Sequence, residues 1–237
     1  EYSRLLIIIP TFNEAENIGR TLDQIFHYLP TAHVLVVDEA SPDRTAKVIQ
    51  QKQRRYKGKL SLIVRKGKSG RGSAVIDGMK WALARSYRYI LEMDADYSHD
   101  PSDLPKILSA ASTADIVIGS RYAPGGKIVG WPFSRRIFSK LSNFYARMLL
   151  GVPIADYTNG YRLYTRRAIE AIDFEKIKEK GYIVLSEISY QLHKKGLKFA
   201  EVPTIFVNRQ KGKSNFSWEE VSRAFFSVWK ILFSSKS

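Results

Sequence analysis

Apolar runs and amphipathic stretches alternate along the first half of the chain. Leu5, Leu6, Ile7, Ile8 and Ile9 are consecutive and stop at Pro10, the pattern of a strand buried on both faces. Over 13–29, Ile18, Leu22, Ile25, Phe26 and Leu29 recur at helical spacing. Further strands are predicted at 34–37, 60–64, 89–93 and 115–118. Ser41-Pro42-Asp43 reads as a helix start, with an N-cap, a proline at the first helical position and an acid in the first turn. A helix over about 72–85 turns Val75, Met79, Ala82 and Leu83 inward. Strands alternating with helices predict an α/β fold, a mostly parallel central sheet with helices on both faces. Ligands of such sheets bind beyond the carboxyl ends of the strands. The segments 10–14, 38–41, 94–98 and 119–122, each carrying polar or charged residues, fall there.

One of these ends is Asp94-Ala95-Asp96. Side chains two apart on an extended chain share a face, and two adjacent anions repel unless a cation sits between them. Hard oxygen ligands suit Mg²⁺ or Mn²⁺, which bridge to substrate phosphates. The same tripeptide is also how a loop with two solvated acids begins. Four polar strand ends converging on one edge favour the first reading.

The second half has a different character. Residues 121–155 hold no Asp or Glu, while Arg121, Lys127, Arg135, Arg136, Lys140 and Arg147 are basic. Within this stretch Ile137, Leu141, Phe144, Tyr145, Met148 and Leu149 trace one helical face. It is either a core helix with a solvated basic side or a helix near an anion or anionic surface. Residues 202–218 are also acid-free and carry Arg209, Lys211 and Lys213. Ser217-Trp218-Glu219-Glu220 has capping-box spacing and opens an amphipathic helix over 216–237, whose apolar face docks on the core or lies in a membrane interface.

Composition narrows the function classes. The 237 residues suffice for one large core or two small ones. There is no cysteine, which excludes disulfides, thiolate metal sites and a cysteine nucleophile, and fits a reducing compartment. The formal charge of +15 points to an anionic partner: nucleic acid, membrane or phosphorylated substrate. No apolar stretch approaches the roughly 20 residues needed to span a bilayer. The expected location is the cytoplasmic face of a membrane, held peripherally or by a segment beyond residue 237.

The strand ends together resemble the family-two glycosyltransferases with the nucleotide-diphospho-sugar (GT-A) fold. The similar segments are 8–18, opening Ile8-Ile9-Pro10-Thr11-Phe12-Asn13-Glu14, then Val37-Asp38-Glu39-Ala40-Ser41-Pro42-Asp43, Met93-Asp94-Ala95-Asp96-Tyr97-Ser98, Gly119-Ser120-Arg121-Tyr122 and Asp156-Tyr157-Thr158-Asn159-Gly160-Tyr161-Arg162. Within that family, Trp131-Pro132-Phe133-Ser134-Arg135-Arg136, Ser139 and Arg209-Gln210-Lys211-Gly212-Lys213-Ser214 are similar to the dolichyl-phosphate mannose synthases and related polyprenyl-phosphate transferases.

The resemblance implies a glycosyltransferase domain over 1–215, with a nucleotide-sugar half (1–122) and an acceptor half (123–215). It implies that Pro10, Phe12, Glu14, Val37, Asp38 and Glu39 hold the nucleoside; relatives often carry Asp where Glu39 stands. Asp94, Ala95 and Asp96 meet the diphosphate, with Mg²⁺ or Mn²⁺ on Asp94 and Asp96 and Ser98 as a possible third ligand. Arg121, Arg135 and Ser139 bind the acceptor phosphate. Arg209 and Lys211 clamp the diphosphate or the acceptor. The implied catalytic set is Asp94, Asp96, Arg121 and Arg135. Lys68 and Arg71 in the glycine-rich stretch read as ordinary surface residues.

Relatives that glycosylate hydroxyls by inversion show a Glu-Asp pair, the Asp acting as base, where this chain has Glu187-Ile188. A phosphate monoester, with a second pKa of about 6, is already mostly dianionic and needs cations rather than a base. The expected reaction is inverting transfer of a hexose, mannose from GDP-mannose, to a polyprenyl or dolichyl phosphate. UDP-glucose is the alternative donor. A nucleic-acid partner is not expected, because the basic residues sit beside the transferase motifs and no nucleic-acid module is present.

Overall fold

A computed structural model describes residues 4–177, 181–208 and 228–232. In chain order the elements are β1 (Leu5–Thr11), α1 (Ile18–Tyr28), β2 (His33–Asp38), α2 (Thr45–Arg55), β3 (Leu60–Val64), α3 (Arg71–Leu83) and β4 (Tyr89–Glu92). A 3₁₀ turn (Pro101–Asp103) leads into α4 (Leu104–Ala110), β5 (Ile116–Ser120), β6 (Lys127–Val129) and α5 (Phe133–Leu150). The rest are β7 (Arg162–Thr165), α6 (Arg166–Glu170), α7 (Ile183–Lys194), β8 (Phe199–Pro203) and β9 (Ile205–Val207). Seven strands form one sheet in the order β3-β2-β1-β4-β7-β5-β8. Among the described strands, only β7 runs antiparallel to its neighbours. β6 and β9 make a small parallel pair.

The expected sheet is present, and the continuous apolar runs explain it. Leu6 and Ile8 of β1 pack with Leu35, Val37 and the α3 residues Ala74, Val75 and Met79. Leu5, Ile7 and Ile9 point the other way, into a second core with Ile18, Leu22 and Ile25 of α1, Val34 and Val36. A two-residue period serves both faces, so every position of 5–9 is fully buried. Each such aliphatic side chain contributes about 1.5–3 kcal/mol by leaving water.

One expected helix start is displaced. The helix begins at Thr45, not after Ser41. Ser41 is drawn back to the strand: its amide and hydroxyl donate to Asp38 at 2.9 and 2.6 Å. Asp43 takes the turn instead, accepting from the Thr45 amide at 3.0 Å and hydroxyl at 2.5 Å.

The terminal helix expected over 216–237 falls mostly outside the described residues. Within 228–232, which are helical, Val228 and Ile231 join the core and Trp229 is exposed.

Candidate active site

The carboxyl ends of β1, β2 and β4 open onto one edge, and their backbone is strained there. Among the described residues, the non-glycine positions with positive φ are Asn13 (59°), Ala40 (53°), Arg44 (71°) and Tyr97 (63°), all in the loops that follow these strands. Left-handed backbone persists where surroundings over-determine it, often at functional sites.

At the carboxyl ends of β1 and β2, Asp38 is fully buried and accepts from Thr11 Oγ1 at 2.8 Å as well as from Ser41. Glu39 Oε1 accepts from Arg65 Nη1 (3.0 Å) and from the amides of Ser69 (2.8 Å) and Gly70 (2.7 Å). These two carboxylates therefore brace the strand end and the glycine-rich stretch. Val37 is buried beside them. Glu14 accepts from Asn17 Nδ2 at 2.8 Å, and its amide donates to Thr45 Oγ1. Pro10 and Phe12 are half-buried, and Lys68, a surface residue as expected, places its Nζ 4.0 Å above the Phe12 ring in a cation–π contact.

Arg71 does correct the sequence reading. Its guanidinium is buried: Nε donates to Asp94 Oδ1 at 2.7 Å, Nη1 to Glu92 Oε2 at 2.9 Å and Nη2 to the Gly160 carbonyl at 3.1 Å. Burial opposes the cation, but Asp94 and then Glu92 hold its pKa above the ordinary arginine value. A Cβ at position 160 would lie 2.0 Å from Arg71 Nη2, so only glycine lets this side chain pass. Tyr164 Oη completes the network on Glu92 Oε1 at 2.9 Å.

Asp96, buried, accepts on Oδ1 from both the amide and hydroxyl of Ser98. Ala95 is buried between the two acids, and its carbonyl accepts from Thr21 Oγ1 at 2.7 Å. His99 is committed as scaffold: Nδ1 accepts from the Asp94 amide at 3.1 Å, leaving Nε2–H for Asn159 Oδ1 at 2.9 Å. The remaining donor set is hard oxygen. Among the described residues no group of three or more His, Cys, Asp and Glu forms a closed cage. Two carboxylates without such a cage fit Mg²⁺ or Mn²⁺, which keep water and take phosphate oxygens.

The basic end is built on Arg121. Nε and Nη2 grip Asp156 at 2.8 and 2.7 Å, and Nη2 also donates to Thr158 Oγ1 at 2.7 Å. Burial alone would push the Asp156 carboxyl up; the Arg121 guanidinium beside it holds it below the usual range. Rings of Tyr122, Trp131 and Phe206 surround the Arg121 cation at 5.4–5.5 Å. Arg135 lies 4.0 Å over the same Trp131 ring. Ser139 joins through Tyr122, whose hydroxyl donates to Ser139 Oγ at 2.7 Å. Arg121, Arg135 and Ser139 are thus gathered into one cluster. Arg209 and Lys211 lie outside the described residues.

Hydrogen bonds link the two ends, from Asp94 through His99 and Asn159 to Asp156 and Arg121. In the sequence Asn159, Asp156 and Trp131 were legible only as motif letters without a role of their own, and Phe206 was not singled out. The signal was present in Asp156, the single acid opening its motif after an acid-free run.

From Trp131 the chain enters α5, whose outer face is apolar and open. Phe133 is 77% exposed, Leu141 60%, Phe144 63% and Met148 69%, with Ile137 at 44%. Asn143, Ala146 and Leu150 are the buried residues of this helix. Of the face traced in the sequence, Ile137, Leu141, Phe144 and Met148 are exposed, whereas Tyr145 and Leu149 pack against the core. Among the described residues no helix is long and apolar enough to cross a membrane.

Comparison with known proteins places this arrangement. The profile of Glycosyl transferase family 2 matches residues 6–173. Polyprenol monophosphomannose synthase of Mycolicibacterium smegmatis is 40% identical over 231 residues, covering 96% of this chain and 87% of its own. Undecaprenyl-phosphate mannosyltransferase of Micrococcus luteus is 41% identical over 225 residues, covering 95% and 92%. Among solved structures, glucosyl-3-phosphoglycerate synthase of Mycobacterium tuberculosis, in complex with Mn²⁺, UDP and glucosyl-3-phosphoglycerate, superposes with a TM-score of 0.69 at 19% identity. That match covers 97% of this chain and 78% of the other, and shows a shared fold.

Proposed function

This chain belongs to glycosyl transferase family 2, and on that premise we propose that it transfers mannose from GDP-mannose to a polyprenyl phosphate at a membrane surface, with Mg²⁺ or Mn²⁺ as cofactor. The observation that carries the acceptor is the pair of guanidiniums, Arg121 and Arg135, on one indole at the foot of a helix with an open apolar face. A phosphate that carries a long hydrocarbon matches both parts. The names of the two relatives at 40–41% identity support the same acceptor and sugar.

In this reading Asp94 and Asp96 hold the divalent ion. When bound, it supplies Lewis-acid stabilisation of the departing diphosphate. The protein's own groups do the remaining work. Arg71 keeps Asp94 fixed and partly neutralised, so little reorganisation is needed when the donor arrives. Arg121 is oriented by Asp156 and Thr158, and Arg135 adds a second cation beside the same indole. Cations hold a phosphate nucleophile without removing a proton. Ile188, where hydroxyl-directed relatives place a base, is fully buried in the core, in keeping with a dianionic acceptor.

The test is transfer by purified protein in mixed micelles. GDP-mannose, polyprenyl phosphate and Mn²⁺ are expected to yield the polyprenyl phosphomannose, and EDTA to stop it. The free polyprenol is expected to be inert. Equal use of the alcohol would overturn the acceptor assignment, and preference for UDP-glucose would overturn the donor.

A further inference from the structure

We propose that the indole N–H of Trp131 is a third donor to the acceptor phosphate, beside Arg121 and Arg135. The inference rests on the acceptor reading above. Trp131 is 8% exposed, and its Nε1 is buried with no hydrogen-bond partner among the described residues. Native proteins rarely leave a buried donor unpaired, because its lost hydration is not replaced. Among the described residues, the three side chains seen against the ring offer no acceptor. Arg135 lies 4.0 Å and Arg121 5.4 Å from the ring centroid, and Phe206 meets it edge-on at 5.3 Å.

Both charged neighbours are donors, and so is the indole. The missing partner is therefore an acceptor, and its surroundings select one with negative charge. The indole N–H lies in the ring plane, whereas guanidiniums stack over the faces. All three donors can then address one anion without competing for a direction. The start of α5 adds to this. Pro132 is its N-cap with no side-chain cap, and the first turn has no acid. Amides at such a helix start are unsatisfied and favour an anion.

A role for Trp131 as a mere spacer under Arg135 predicts something different, because phenylalanine also stacks with arginine. The experiment is an NMR titration of native protein carrying ¹⁵N-labelled indoles, with geranyl phosphate and with geraniol. The Trp131 signal is identified by its through-space contacts to Phe206. Its indole proton is expected to move downfield with geranyl phosphate and to stay put with geraniol. Trp131→Phe is expected to weaken geranyl phosphate binding about tenfold, the worth of a charge-assisted hydrogen bond, with GDP-mannose affinity unchanged and ligand-free stability not reduced. Geranyl phosphate binding without a shift at Trp131, and with equal affinity for Trp131→Phe, would overturn the proposal and leave the acceptor reading standing. No binding to the native protein, while GDP-mannose still binds, would overturn both.

Discussion

Arg71 Nε lies 2.7 Å from Asp94 Oδ1, so the first carboxylate of the Asp-x-Asp pair is held by a fixed cation from within the protein. The same guanidinium neutralises Glu92, which is fully buried. Arg71→Leu strands that anion. The expected loss is about 3 kcal/mol in urea unfolding, as for other broken buried pairs. Adding Glu92→Gln is expected to recover at least half of it. Turnover of the double variant is expected to stay at least about tenfold low, because Asp94 is no longer oriented and a small misplacement at a reacting centre is costly. Native-like turnover would remove the positioning role.

Asp96→Ala is expected to abolish metal-dependent transfer while leaving the circular dichroism and cooperative melting intact. The paramagnetic signal of Mn²⁺ added with GDP is expected to remain that of ions free of the protein. Undiminished turnover would sink the assignment of Asp96 to the metal.

Arg135→Ala is expected to raise the acceptor KM by about tenfold to a hundredfold, the worth of one charged hydrogen bond. The KM for the sugar nucleotide is expected to hold. Should donor affinity collapse instead, Arg135 belongs to the diphosphate.

Burial pushes Asp156 up, but Arg121 outweighs it, and its folded pKa lies below the ordinary 3.8. A depressed carboxyl stabilises the fold fully above its unfolded value and loses that contribution as pH falls through the folded one. Native protein should therefore lose stability progressively as pH drops below 3.8. Asp23 and Asp43 are depressed too, so the comparison is with Asp156→Asn. That variant should be weaker at pH 7 by about 3 kcal/mol, with a shallower acid slope. Parallel slopes in chemical unfolding at several pH values would rule out Asp156 as a contributor.

Leu141→Ser with Phe144→Ser removes two exposed apolar groups of α5. Binding to anionic lipid vesicles in a flotation assay should fall by about tenfold or more, since each such side chain is worth on the order of 1.5–3 kcal/mol when buried. Melting temperature should not drop, because neither side chain packs in the core. Unchanged flotation would remove this face as a lipid contact.

The sheet was legible because local pattern encodes it: five consecutive apolar residues at 5–9 leave no exposed face. The Asp-x-Asp pair was legible for the same reason, as the polar end of such a run. Partnerships across the chain were not. Arg71 meets Asp94 across 23 positions, Glu39 meets Ser69 across 30 and Arg121 meets Asp156 across 35. Nothing in the glycine-rich stretch distinguishes a buried arginine from a solvated one. The periodicity of α5 defined an apolar face, yet periodicity does not say whether protein covers it. Ser41 misled because a serine before Pro-Asp matches a helix start, whereas Asp38 competes for both its amide and its hydroxyl.

The left-handed backbone at Ala40 and Tyr97 carries a cost of about 1–3 kcal/mol at each position, and the brace contacts around them offset it. The cost is concentrated at the edge of the sheet rather than spread through it. Warming should therefore release these loops before the two cores melt. The protein should have two thermal limits, one at which the edge loses its shape and catalysis stops, and a higher one at which the chain unfolds.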